Sequence, residues 1–376
     1  MKLPALHIGD LIAKIPIVQG GMGVGISLSG LASAVANEGG IGVIAAAMIG
    51  MSEPDIGSNP LEANIRALKN EIRKARALTK GLLGVNIMVA LTHFSNLVVA
   101  AIEEGIDFIF SGAGLPLDLP KYLGRRSKPK LVPIVSSGRA AEVLCKKWAK
   151  LSHLPDAFVV EGPMAGGHLG LKPEQIFAPE FTLEKLLAEV LAAVKPFEAE
   201  SGRAIPVIAA GGVYTGADIR KFLKMGAAGV QMATRFVATH ECDASLAFKQ
   251  AYVKANEEDI VIINSPVGLP GRAINNEFLE AVNRGEKIPF TCPYHCIRTC
   301  DHRKSPYCIA LALIQAKRGN LKRGFVFSGQ NAYRVDRIIS IRELFGSLLQ
   351  EYRDARRAED RACSIGEVAA ACGSAL

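Results

Sequence analysis

The sequence predicts a (β/α)8 TIM barrel that carries a C-terminal cysteine-rich and helical addition. Three observations point there. Eight short apolar runs recur between residues 15 and 236, segments of helical period separate them, and most runs end in glycine or another small residue. Near-continuous apolar strands belong to parallel sheets buried on both faces, and eight strand–helix units favour a closed barrel over an open sheet.

In order, the runs are "IPIVQGG" from Ile15, "GIGVIAAA" from Gly40, "LLGVNIM" from Leu82 and "FIFSGAG" from Phe108. They continue with "LVPIVSS" from Leu131, "AFVVEG" from Ala157, "IPVIAAGG" from Ile205 and "AGVQMATRF" from Ala228. A helix is expected over Asn59 to Lys80, with Leu61, Ile65, Leu68 and Ile72 on one face and Arg66, Lys69, Arg73 and Lys74 in water. Asn59-Pro60 supplies its start. Barrels of this class use about 250 residues. Residues 1–260 are therefore expected to form the barrel, and residues 261–376 a cysteine-rich loop and helical extension packed on it. In that extension "YCIALALIQAKRGN" and "RIISIRELFGSLLQEYRDARRA" read as amphipathic helices, with "GFVFSGQNAYRV" a turn or extended segment between them.

Composition narrows the classes of partner. The chain has 376 residues, 49% hydrophobic content and a formal charge of +8 from 44 Lys+Arg against 36 Asp+Glu, which describes a globular protein with ample core. Basic residues are scattered and not interleaved with aromatics, so nucleic acid is not the expected ligand. No apolar stretch approaches the ~20 residues of a membrane span. The opening "MKLPALHIGDLIAKIPIV" has Asp10 and Lys14 where a signal peptide would be apolar, so cytoplasm is the expected compartment. Oligomeric state is not readable.

In a TIM barrel the chemistry sits at the carboxyl ends of the strands. Those ends here include "QGGMG", "VNI", "EGPMAGGH" and "AAGG". Glycine lets backbone amides approach a ligand with no Cβ between. "PVIAAGGVYTGADI" and "GAAGVQMATRF" place Gly211-Gly212 and Ala233-Thr234 after the seventh and eighth strands. Many barrels hold a phosphate there on backbone N–H groups, and Thr234 adds a hydroxyl. Tight βα turns are the plainer alternative. His168 sits inside "EGPMAGGHLG": either an exposed turn histidine or an acid–base group beside a flat ligand.

Cysteine spacing adds a second candidate site. Cys292, Cys296, Cys300 and Cys308 fall within seventeen residues, "CPYHCIRTCDHRKSPYC", while Cys145, Cys242, Cys363 and Cys372 are scattered. Such density in a cytosolic chain points to metal rather than disulfides. A 4Fe-4S iron–sulfur cluster is the leading expectation, a four-cysteine zinc site the alternative, and unligated thiols the third. His295 and His302 stand close enough in sequence to replace one ligand.

The ordered motifs "PIVQGGMG", "GVN", "EGPMAGGHLG", "IAAGGVYTGADI" and "GAAGVQMATRF" resemble the flavin-dependent nitronate monooxygenase or 2-nitropropane dioxygenase-like family, which includes flavin-type enoyl-acyl-carrier-protein reductases. The resemblance spans Pro16 to Phe236, with a weaker continuation in "SPVGLPGRAI" from Ser265. It implies a non-covalent FMN. Gly21, Met22 and Gly23 would lie against the isoalloxazine and Asn86 would hydrogen-bond the ring. Gly167, Gly211, Gly212, Gln231, Met232, Ala233 and Thr234 would follow the ribityl chain and phosphate, and Glu161 would stand near the flavin. His168 matches the family's site histidine, and an ordinary imidazole pKa of about 6.5 would suit a base. The family often has Glu where this chain has Met164.

The implied activity is oxidation of an alkyl nitronate by oxygen to a carbonyl compound and nitrite. The alternative is an NAD(P)H- or electron-carrier-dependent flavin reductase of an enoyl thioester or other activated alkene, with an acyl carrier protein or electron carrier as partner. A third reading is a flavin- or metal-binding regulatory or electron-transfer module with no small-molecule substrate.

Overall fold

The computed structural model describes residues 3–124, 129–286, 288, 291–292 and 294–373, with side chains as far as residue 361. Eight parallel strands close into a barrel: Ile17–Gln19, Ile41–Ala45, Leu82–Asn86, Phe108–Ser111, Lys130–Val135, Phe158–Glu161, Val207–Ala210 and Gly229–Met232. Each lies within a run that the sequence marks as a strand, to within one residue. Closure is made by the last strand on the first, with Val230 beside Ile17 and Met232 beside Gln19.

Alternation along each strand divides the apolar residues between two cores. Val18, Val43, Phe108, Phe110, Val132, Val159 and Ile208 fill the barrel interior. Ile17, Ile44, Ile109, Phe158 and Val160 face the surrounding helices. Ladder contact between the first two strands is short, with only Val18 beside Ile41. The buried Gln19 side chain completes it, accepting from the Val43 amide at 2.9 Å and donating to the Val43 carbonyl at 3.2 Å.

An antiparallel hairpin, Leu6–Ile8 with Leu11–Ala13, precedes the barrel and is not evident in the sequence pattern. Leu6, Ile8 and Ala13 join the interior core, and Leu6 packs against Gly229 at the start of the last strand. The hairpin therefore stoppers the N-terminal end, leaving the carboxyl ends of the strands for ligands.

The predicted helix appears as Pro60–Leu78, but its buried stripe is Ala63, Asn64, Ala67, Leu68, Ile72 and Ala75. Leu61 and Ile65 are only half-buried. Alanines bring the helix axis close to its neighbours, so the larger residues fall at the edge of the contact.

Residues beyond the barrel build a second layer. Ile260–Asn264 and Pro270–Ile274 pair antiparallel; the latter also pairs with Val326–Phe327 and with Gly167–His168. Helices Ile309–Lys317 and Ile341–Gly373 follow. The long helix is fastened by Glu351, which accepts from the Gly216 amide at 2.7 Å and pairs with Arg235 at 3.0 Å. Among the described residues no helix is long and apolar enough to cross a membrane.

Candidate active site

A cavity of about 280 Å³ opens at the carboxyl ends of the strands. It is lined by Gly21, Met22, Gly23, Asn86, Glu161, Gly167, His168, Gly211, Gly212, Gln231, Met232, Ala233 and Thr234, every non-metal site residue that the sequence singles out. Local backbone explains their approach. A Cβ on Gly21 would lie 2.3 Å from the Cβ of Asn86, so only glycine lets that side chain stand beside the first strand. Gly211 and Gly212 have φ of +89° and +102°, a region open to glycine and costly for other residues. The next turn begins with Thr215, whose side chain caps the helix Gly216–Lys224 in a reciprocal capping box with Asp218.

One rim of the cavity comes from outside the barrel. Ser328 and Gly329 line it, and a Cβ on Gly329 would meet Oγ1 of Thr234 at 2.5 Å. The Ser328 hydroxyl is buried with no hydrogen-bond partner. Asn331 donates to the Gly212 carbonyl at 2.9 Å. An orphaned hydroxyl beside glycine turns is the chemistry that a phosphate would satisfy, so these residues fit the terminal phosphate of FMN. Neither Lys nor Arg lines the cavity among the described residues, so the chain's positive charge is not focused there.

His168 is placed by pairing rather than by its own segment. Gly167–His168 is a two-residue strand that lies opposite Gly271 and Arg272. Arg272 is 2% exposed and donates to the carbonyls of Pro163 and Ala165 at 2.6 and 2.5 Å, which pins the loop before the histidine. The imidazole Nε2 lies 2.7 Å from Oγ of Ser265, and the ring meets Phe327 edge-on at 4.9 Å. Burial pushes its pKa down to about 4. The expectation of an imidazole titrating near 6.5 is corrected: at neutral pH this ring is uncharged and weakly basic.

Glu161 moves the other way. It ends the sixth strand, and burial raises its pKa from 4.5 to about 7. Two titratable groups on one cavity are thus pushed in opposite directions, the usual mark of divided acid–base roles. Because the folded carboxyl has a higher pKa than the unfolded one, it costs no stability below about pH 4.5; the cost grows as pH rises and is complete above about pH 7. In flavin-free protein, Glu161→Gln is expected to raise stability by up to ~3 kcal/mol at pH 8 and to change it little at pH 4.5. Urea midpoints at the two pH values measure this, and equal shifts at both would refute the raised pKa.

The four clustered cysteines lie within electrostatic reach of one another in the fold. Cys292, Cys296, Cys300 and Cys308 are free and part-exposed. Among the described residues no three Cys, His, Asp or Glu side chains are grouped to hold a metal ion. The expected iron–sulfur cluster or zinc site therefore finds no support in this arrangement. Cys296 and Cys308 lie against the apolar group of Val24, Met48, Met51 and Ile314, and Cys300 faces the Ser305 hydroxyl at 3.8 Å. The segment is pinned elsewhere, by Thr92 on the Cys296 carbonyl at 3.0 Å and Arg298 on the Ala90 carbonyl at 3.0 Å. Cys296 lines the cavity with Ile297, Ile309, Ala310 and Leu313, giving an apolar wall. Burial, reinforced by the other three thiols, pushes the Cys296 pKa up to about 12 and keeps it a protonated thiol.

A closed barrel with a glycine-lined cavity at its strand ends, and one imidazole among the described lining residues, is an arrangement that suits the class of flavin-dependent barrel oxidoreductases. Within it, the chain belongs to the nitronate monooxygenase family, whose model matches residues 7–351. Members of this family are FMN-dependent oxidoreductases, and this chain is one. It is 32% identical over 272 residues to the Mycobacterium tuberculosis "(3aS,4S,5R,7aS)-5-hydroxy-7a-methyl-1-oxo-octahydro-1H-indene-4-carboxyl-CoA dehydrogenase", covering 72% of this chain and 66% of that protein. It is 28% identical to a Staphylococcus aureus protein described as "Probable nitronate monooxygenase", over 73% of this chain and 79% of the other. Among solved structures it resembles FabK from Thermotoga maritima, with a TM-score of 0.70, 27% identity and coverage of 93% and 96% of the two chains.

Proposed function

We propose that this chain oxidises alkyl nitronates with oxygen, giving a carbonyl compound and nitrite. The observation that carries the reading is a neutral imidazole on the wall of a glycine-lined cavity with no Lys or Arg among its described lining residues. An anionic nitronate then depends on a hydrogen-bond donor for its oxygen, and His168 would give one. Bound FMN would supply one- and two-electron chemistry. Gly21, Met22, Gly23 and Asn86 would hold its ring; Gly167, Gly211, Gly212, Gln231, Met232, Ala233 and Thr234 would hold the ribityl chain and phosphate, joined by the Ser328 hydroxyl. Glu161, with its pKa near neutrality, would take up or release a proton as the flavin changes charge.

A second reading, reduction of an enoyl thioester with NAD(P)H, is favoured by one feature. The wall formed by Ile297, Ile309, Ala310 and Leu313 is apolar and suits an acyl chain, and the mycobacterial relative is named for a CoA compound. The purified protein is expected to be yellow and to release FMN, not FAD, on denaturation. Nitrite production from an alkyl nitronate in air supports the first reading. NAD(P)H oxidation that requires an enoyl thioester, with no nitrite formed, replaces it with the second. Colourless protein that fails to take up added FMN overturns both.

A further inference from the structure

We propose that Ser265 is a positioning residue whose hydroxyl donates to Nε2 of His168, fixing the imidazole as the tautomer protonated at Nδ1, the nitrogen left for the cavity. This deepens the reading above and rests on it only for what the Nδ1–H group meets.

The argument is a count of hydrogens. Oγ of Ser265 lies 2.7 Å from Nε2 of His168, and the Val267 amide donates to the same Oγ at 3.4 Å. Ser265 is 7% exposed, and its hydroxyl has no third partner among the described residues. If Nε2 carried the hydrogen, Oγ would accept from two N–H groups and its own hydrogen would be buried with no acceptor. If Nε2 carries the lone pair, the hydroxyl donates to it, the Val267 amide donates to the hydroxyl, and every group is satisfied. Leaving a buried donor unpaired costs about 1–3 kcal/mol, which is enough to select the second arrangement.

The serine is itself rigidly held. It opens a tight turn in which its amide donates to the Leu269 carbonyl at 3.2 Å and its carbonyl accepts from the Gly268 amide at 3.0 Å. That turn joins Ile260–Asn264 to Pro270–Ile274, the strand on which His168 is hung. One hairpin thus sets both the position and the protonation pattern of the ring. Nδ1 makes no hydrogen bond among the described residues, and His168 lines the cavity. The ring therefore offers substrate an N–H donor instead of a lone pair. Burial keeps it uncharged, so the donation is that of neutral imidazole, and proton uptake falls to Glu161.

The test is ring-nitrogen NMR on the full-length protein with isotopically labelled histidine, the His168 signals being assigned by their loss in His168→Gln. The expected result is an Nδ1-protonated ring in the wild type at neutral pH. Ser265→Ala is expected to abolish that pattern and Ser265→Thr, which keeps the hydroxyl, to restore it. In parallel, Ser265→Ala should lower kcat about 10-fold with KM and flavin content little changed, and Ser265→Thr should recover most of the loss. An Nε2-protonated ring in the wild type overturns the proposal, as does a tautomer unaffected by Ser265→Ala. Should Ser265→Ala not fold, the wild-type spectrum alone still decides. The spectrum needs no substrate, so a failed nitronate assay leaves this inference standing, and an Nε2-protonated ring leaves the nitronate reading intact.

Discussion

His168→Ala is expected to retain its flavin and lose turnover by about 100-fold or more. Removing a donor aimed at developing charge costs about 100- to 1000-fold, and removing a general acid or base a similar factor. The loss should fall on kcat, because the donor matters most when charge gathers on the substrate oxygen. Flavin should stay, since the glycine turns and the Ser328 rim that face it do not depend on the imidazole. Flavin content by absorbance and turnover on the substrate that passes the assays above are the two measurements. Unchanged turnover removes His168 from the chemistry; loss of flavin in proportion to activity makes its role structural.

Gly211→Ala should empty the site. Its φ of +89° is unfavourable for any residue with a Cβ, and that Cβ would lie 2.7 Å from the Gly162 carbonyl oxygen and 3.0 Å from the Gly162 amide nitrogen. Both contacts are backbone, with no side-chain end free to swing aside, so the strand end itself must move. Strain of about 1–3 kcal/mol from the dihedral alone, with overpacking added, is expected to weaken FMN binding at least 100-fold. Gly346→Ala is the matched control: it lies within the helix Ile341–Gly373, has no neighbour within 4 Å of the new Cβ, and should bind FMN normally. Fluorescence titration of flavin-stripped protein reads the difference. Equal affinity for Gly211→Ala and wild type would remove the phosphate from this turn.

The barrel was legible because its strands are buried on both faces, and such strands appear as uninterrupted apolar runs. The cavity wall was legible for a related reason, since the runs stop at glycines and those stops share one end of the barrel. What decides the behaviour of His168 was not. A two-residue strand has no periodicity to detect, and its partners Gly271 and Arg272 are about a hundred residues further on. The downward shift of the imidazole pKa follows from burial against Phe327 and Ser265, which local sequence cannot report. "SPVGLPGRAI" and "FVFSGQN" carried a signal in their small residues, and they supply Ser265, Arg272, Ser328 and Gly329. The cysteines are a separate case. Their spacing is dense and the folded thiols lie within electrostatic reach of one another, yet among the described residues no three ligands are grouped to hold a metal ion.

The pairing of Gly167–His168 with Pro270–Ile274 also imposes a timetable on biosynthesis. A chain emerging from the ribosome has all eight barrel strands once Met232 is out, yet the imidazole has no strand to join until residues 265–274 follow. At about 5–20 residues per second, that interval lasts roughly 2–8 s. Throughout it the barrel mouth lacks Phe327, Ser328 and the wall from Ile297 to Leu313, so its apolar lining faces water. Early FMN capture or a chaperone's grip is expected to have its greatest effect in those seconds.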